Sequence, residues 1–104
     1  MFSEEAGELL AALEQGLVRL GQGPIDRAAV DPVYRAAHSL KGAAGMVGLT
    51  AISDLAQAME RSLKPLRTDS TAWSQDLGRA LAADRDILAA KVAEEERLFR
   101  GASS

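Results

Sequence analysis

Among 104 residues there is one histidine, His38, and its surroundings are as unusual as the residue itself. The stretch "AAHSLKGAAGMVGL", residues 36–49, follows it with Lys41 and with Gly42, Gly45 and Gly48, inside a pattern that otherwise reads as helix. Each glycine within a helix costs about 1 kcal/mol relative to alanine. Of the common side chains, imidazole is the one that offers a nucleophilic nitrogen near neutral pH. A lysine one turn beyond it brings positive charge to an anion that the ring carries or meets. Glu60 is the third candidate. A carboxylate at hydrogen-bonding distance from one imidazole nitrogen fixes the tautomer, leaves the other nitrogen with its lone pair, and stabilises the cation formed when that lone pair attacks. The chemistry that fits is attack by His38 on an electrophile brought by a partner.

Composition removes most other chemistries. The chain has no cysteine, so disulfides, thiol nucleophiles and cysteine metal sites are excluded together. With a single histidine, a transition-metal site would have to be nearly all carboxylate, and no metal site is expected. A net charge of −3 offers no basic stripe for a nucleic-acid backbone. No apolar run approaches the roughly 20 residues needed to span a bilayer, and the N-terminus lacks a secretory signature. The expectation is a single cytoplasmic domain over residues 1–104, excised from a larger protein.

The elements that must position these residues are all helical. In "FSEEAGELLAALEQGLVRLG", Phe2, Ala6, Leu10, Leu13, Leu17 and Leu20 recur at three- and four-residue steps, with Ser3 as a candidate N-cap. Gly21, Gly23 and Pro24 then stop the helix. Asp31-Pro32 reads as the start of a second helix, whose apolar stripe is Val33, Ala37, Leu40, Ala44 and Val47 and which ends near Gly48. Thr50 can cap a third, carrying Ile52, Leu55, Met59, Leu63 and Leu66, with Pro65 ending or kinking it. A fourth starts near Ser70 or Thr71 and carries Trp73, Leu77, Leu81 and Leu88. Its charged remainder either runs on to Phe99 or folds back as a fifth helix. The fold class expected is all-α, an up-down antiparallel four-helix bundle.

On a helix of 3.6 residues per turn, with the middle of the second apolar stripe at zero, His38 falls at about 140°, Lys41 at about 80°, Gly42 at about 180° and Gly45 at about 120°. One outward stripe therefore holds an approachable histidine beside two positions without side chains. Tyr34 and Leu49, at about 100° and 160°, lie on or beside it, and with Gly45 they are candidates for a docking surface. His38 precedes residue 49 by eleven positions and Glu60 follows it by eleven, so in an antiparallel pair both stand about 16 Å from the turn. Taken singly, each residue has an ordinary structural reading: a surface histidine, a solvated lysine, a helix-pairing acid, glycines that let helices approach. Their convergence on one stripe at one height favours a site.

"RAAHSLKGAAGMVGL", residues 35–49, resembles the signature of histidine-containing phosphotransfer domains, a histidine followed by lysine three residues later and glycine four later. His38, Lys41 and Gly42 match it. Within that family the chain is most similar to the N-terminal phosphotransfer domain of chemotaxis-type histidine kinases, which carry a glutamate where Glu60 stands and often a second histidine where this chain has Gln57. The resemblance implies a four-helix bundle that acts as a phosphoryl carrier in two-component signalling. A kinase ATP-binding domain would phosphorylate His38, and a response-regulator receiver domain would take the phosphoryl group onto an aspartate. It further implies that Glu60 orients and activates the imidazole, Lys41 offsets phosphate charge and Gly42 keeps the approach open. ATP and Mg²⁺ stay on the partner domains, this domain holds no cofactor, and it does not turn over alone. Two other readings stand beside this one: a relay domain charged by a receiver aspartate, and an inactive helical interaction bundle.

Overall fold

The computed structural model describes residues 2–103, apart from the side chains of Ser3 and of residues 99–103. It comprises α1 (Phe2–Gln22), α2 (Arg27–Met46), α3 (Thr50–Leu63), two short 3₁₀ turns (Lys64–Arg67 and Ser70–Ala72) and α4 (Gln75–Ser103). Neighbours in sequence are joined by short connections. α2 packs against α1 and α3, and α4 packs against the same two, closing a four-helix bundle. The expected N-cap Ser3 falls inside the first turn of α1, and its side chain lies outside the described residues.

The apolar stripes meet in one core. Leu13, Leu20, Val30, Val33, Leu40, Met59, Leu63, Leu66, Leu81 and Leu88 are almost fully buried there. A small residue sets the spacing of the α1/α2 pair. On α1, a Cβ at Gly16 would overlap Val33 Cγ2, so this glycine is what lets α1 and α2 approach. Ala36, Ala37 and Ala44 on α2 and Ala56 on α3 are buried in the same core.

Three boundaries differ from the sequence expectation. α2 begins at Arg27 and its N-cap is Asp26, whose side chain accepts from the Ala29 amide at 2.8 Å. Asp31-Pro32 therefore lies in the second turn instead of at the start. Pro32 removes one helical hydrogen bond, to the carbonyl of Ala28, but Ala28 and Pro32 are both exposed, so water can serve that carbonyl. Ala29, Val30 and Val33 are buried, and their burial holds the turn helical across the proline. Val47 follows the last turn of α2 and is 55% exposed, outside the buried stripe to which its spacing assigned it. The segment at Ser70 forms only a 3₁₀ turn. α4 starts at Gln75, where Ser74 Oγ accepts from the Leu77 amide, and Trp73 sits ahead of it with its indole ring against Gly78. The open question about the tail has an answer: α4 runs unbroken through residues 89–99, with Val92 a buried core residue on its way. No helix among the described residues is long and apolar enough to cross a membrane.

Candidate functional site

The turn between α2 and α3 sets the register of the site. Gly48 has φ +78°, a left-handed conformation that glycine adopts without penalty. Its amide donates to the Gly45 carbonyl at 3.2 Å and the Leu49 amide donates to Ala44 at 2.9 Å, the paired bonds of a Schellman motif. Leu49 then packs half-buried against the core, and α3 starts at once with Thr50. A turn this tight fixes the two helices antiparallel with His38 and Glu60 at one height.

They meet as that register requires. The Nδ1–H of His38 donates to Glu60 Oε2 at 3.2 Å. The ammonium of Lys41 lies 2.9 Å from the same oxygen. Exposure falls steeply across the trio, with the side chain of His38 62% exposed, Lys41 29% and Glu60 15%. Partial burial pushes the Glu60 carboxyl upward, but hydrogen bonds from Lys41 and His38, reinforced by their charges, outweigh it and hold the group below the ordinary glutamate value. Glu60 is thus an anion at neutral pH. An ionised acceptor requires the proton to sit on Nδ1, which leaves Nε2 with its lone pair on an exposed ring.

Sequence reasoning did not find the Lys41–Glu60 bond, since it placed Lys41 beside the ring to face an incoming anion. Both residues flank the α2/α3 seam at about 80° from their own apolar stripes, and that shared flank was the available signal. A second tie was also missed: Ser53 Oγ donates to the Lys41 carbonyl at 3.0 Å, bracing the α2 backbone under the site. A Cβ at Gly45 would stand 3.5 Å from that hydroxyl, an ordinary van der Waals contact, so the bond does not itself require glycine there. At Gly42 a Cβ would meet nothing within 4 Å, so nothing inside the domain requires glycine there.

The candidate docking residues part company. Gly45 is exposed. Tyr34 is half-buried against the core with the Arg67 guanidinium 4.6 Å from its ring centroid, and Leu49 is committed to the helix turn. The exposed apolar groups at this end of α2 are instead Met46, 90% exposed, and Val47. Met46 lies at about 220° on the same angular scale, one turn past Gly42, and its position on the stripe could have flagged it. Among the described residues no group of three or more carboxylates and histidines is placed to hold a metal ion.

A family model described as Hpt domain matches residues 1–95. The chain is 37% identical over 89 residues to the chemotaxis protein CheA of Rhizobium meliloti, covering 86% of this chain and 12% of that protein. It is 34% identical over 87 residues to CheA of Salmonella typhimurium, covering 84% and 13%. The CheA phosphotransferase domain from Thermotoga maritima superposes with a TM-score of 0.82 at 29% identity, over 89% of each chain. The chain thus spans about an eighth of the length of the curated relatives it matches.

Proposed function

The chain belongs to the Hpt domain family, and from that premise we propose that it is the phosphoryl-carrying module of a chemotaxis-type histidine kinase, with His38 as the residue that carries the group. One observation carries this reading: the only histidine has an exposed side chain whose Nδ1 is held by a carboxylate anchored on the next helix, so that Nε2 is the nitrogen left without a partner among the described residues. In the first step Nε2 forms a bond to the γ-phosphorus of ATP bound to a separate kinase domain, and the bond from that phosphorus to the ADP oxygen breaks. The ring becomes cationic, its proton stays on Nδ1, and Glu60 stabilises it. In the second step the Nε2–P bond breaks as an aspartate oxygen of a receiver domain bonds to phosphorus, and the imidazole returns to neutral. ATP and Mg²⁺ belong to the partners, with this domain supplying the nucleophile, its orientation and an open approach at Gly42.

Glu60 supports charging by a kinase over charging by a receiver aspartate. A histidine that must attack ATP gains from a carboxylate that stabilises the developing cation, whereas one that accepts from an acyl phosphate starts from a far more reactive donor. Gln57 in place of a histidine leaves Lys41 as the other donor to Glu60.

The test is phosphotransfer in trans. The domain, incubated with Mg-ATP and the catalytic domain of a chemotaxis-type kinase, should acquire an acid-labile, base-stable label that a chemotaxis receiver domain removes. His38→Gln should acquire none while keeping its helical content. Label on His38→Gln, or none on folded wild type with several kinase domains, would refute the assignment.

A further inference from the structure

The net charge of −3 is unevenly distributed. Residues 27–67 contain six Lys or Arg against three Asp or Glu, whereas the rest of the chain contains six against twelve. Four of the six, Arg27, Arg61, Lys64 and Arg67, line one concavity with Pro65 and Thr68. That concavity continues the His38 stripe. On the same angular scale Arg27 lies at about 120°, Asp31 at about 160° and Tyr34 at about 100°, against about 140° for His38. Arg67 joins the two helices there: its Nε donates to Asp31 Oδ1 at 2.9 Å and its guanidinium covers Tyr34, one turn before His38. Asp31 also lies 3.5 Å from Arg27 and compensates part of the charge. Arg61 and Lys64 are exposed and take part in no ion pair among the described residues.

We infer that this basic margin is a docking surface for the acidic rim of the phosphoryl acceptor, a conclusion that rests on the carrier reading above. An acceptor aspartate beside a Mg²⁺ held by carboxylates makes an acidic mouth by the chemistry of that ion. The donor carries net negative charge, and a phosphoryl group adds between one and two more negative charges at its tip. The two would repel unless positive charge stood close to the imidazole. At about 0.1 M salt the screening length is about 10 Å, so only charges within a turn or two of the site count. Arg61 adjoins Glu60, and Lys64 lies one turn, about 6 Å, beyond it. At the other end of the stripe Met46 and Val47 offer apolar surface without charge. The asymmetry gives the docked acceptor an orientation, its acidic rim toward the N-terminus of α2 and an uncharged patch over Met46.

The test uses the 104-residue domain with Arg61→Glu and Lys64→Glu together, and as control Arg79→Glu on the exposed face of α4. The domain is phosphorylated on His38, and transfer to a chemotaxis receiver domain is followed from low to high salt. Charge reversal should lower kcat/KM about tenfold at low salt, with the curves converging at high salt and kcat nearly unchanged; the control should change less than about twofold. The affinity of unphosphorylated domain for the same receiver, read by NMR titration, should fall in parallel. No loss, a loss independent of salt, or an equal loss in the control overturns the proposal. So does slower charging by the kinase with unaltered transfer, which would assign the surface to the kinase. Absence of label on the wild type is a different failure, that of the carrier reading, and the titration still reports whether the basic margin binds the receiver.

Discussion

Gly42 allows a substitution whose effects on stability and on transfer have opposite signs. The position is exposed, mid-helix, and open to at least 4 Å around an added Cβ. Gly42→Ala therefore meets no steric cost and gains the helix propensity that glycine forfeits, about 0.5–1 kcal/mol, partly by restricting the unfolded chain. For a domain of about this size that is a rise in Tm of about 2–8 °C. Gly42→Leu should also stabilise, since leucine is nearly as good a helix former and has open solvent to occupy. In transfer the order reverses. The α-carbon of Gly42 stands one turn past His38 on the stripe proposed to receive a partner, and a leucine there should force about 1–3 kcal/mol of misfit into a close interface. That corresponds to a fall of about 5- to 150-fold in kcat/KM for phosphorylation or transfer, with alanine between the two. Urea and thermal denaturation followed by helical ellipticity, and transfer kinetics on the same samples, measure both effects. Gly16→Ala is the control of opposite character: its Cβ would collide with Val33, so it should destabilise by about 1–3 kcal/mol and leave the chemistry of folded molecules intact. If Gly42→Ala destabilised the domain, the glycine would serve internal packing. If Gly42→Leu transferred at the wild-type rate, the cleared approach would have no role.

Three further outcomes follow from the same geometry. Glu60→Gln removes the charge that both His38 and Lys41 use, and should slow phosphorylation of His38 by about 10–100-fold with little change in helical content, as loss of an imidazole-orienting partner does elsewhere; an unchanged rate would remove Glu60 from the mechanism. The carboxyls of Glu60, Asp31 and Asp69 are held below their ordinary values, by Lys41 and His38 against burial, by Arg67, and by Thr71 respectively. Groups depressed on folding stabilise the native state above their unfolded pKa, about 4, and that contribution disappears as pH falls through the lower native values. Stability measured by urea titration should then hold level from pH 7 to about 5 and drop below about 4, with a shallower drop in Glu60→Gln. Gly48→Ala forces a Cβ into the left-handed region and should cost about 1–2 kcal/mol of stability, with a transfer defect because the α2/α3 register loosens; a neutral result would show that the turn does not hold the register.

Periodicity made the bundle legible. Val33, Ala37, Leu40 and Ala44 on α2, and Ile52, Met59 and Leu63 on α3, are buried as their spacing requires. The pairing of His38 with Glu60 could also be read, because it depends only on two helices leaving one tight turn at equal length. What failed were places where tertiary burial overrides a local signal. Asp31-Pro32 carries every mark of a helix start, yet apolar residues on its N-terminal side draw the helix back to Arg27 and free Asp31 to hold Arg67. Gly16 gave no sign of its role, since a close approach depends on which side chain lies opposite. The Lys41–Glu60 and Ser53–Lys41 bonds depend on rotamers, which a helical projection does not contain.

The gradient of exposure across the site explains how a nucleophile can be both free and oriented. An imidazole 62% exposed on a helix surface would by itself sample several rotamers, each aiming Nε2 differently. Order reaches it from the core in steps. Met59 and Leu63 are fully buried and fix the α3 backbone on either side of Glu60. The carboxylate is 15% exposed and is clamped by Lys41, whose own carbonyl takes the Ser53 hydroxyl from α3. Only the last link, Nδ1 to Oε2, reaches an exposed group, and it constrains the nitrogen that does not react. Lys41 has a second consequence there. Because it shares Oε2 with the imidazole, it keeps the carboxylate ionised and so makes Glu60 a poorer proton acceptor than a lone glutamate would be. The proton therefore stays on Nδ1, both in the neutral ring, where the lone pair is on Nε2, and in the proposed transfer, where that lone pair bonds to phosphorus and the ring becomes cationic.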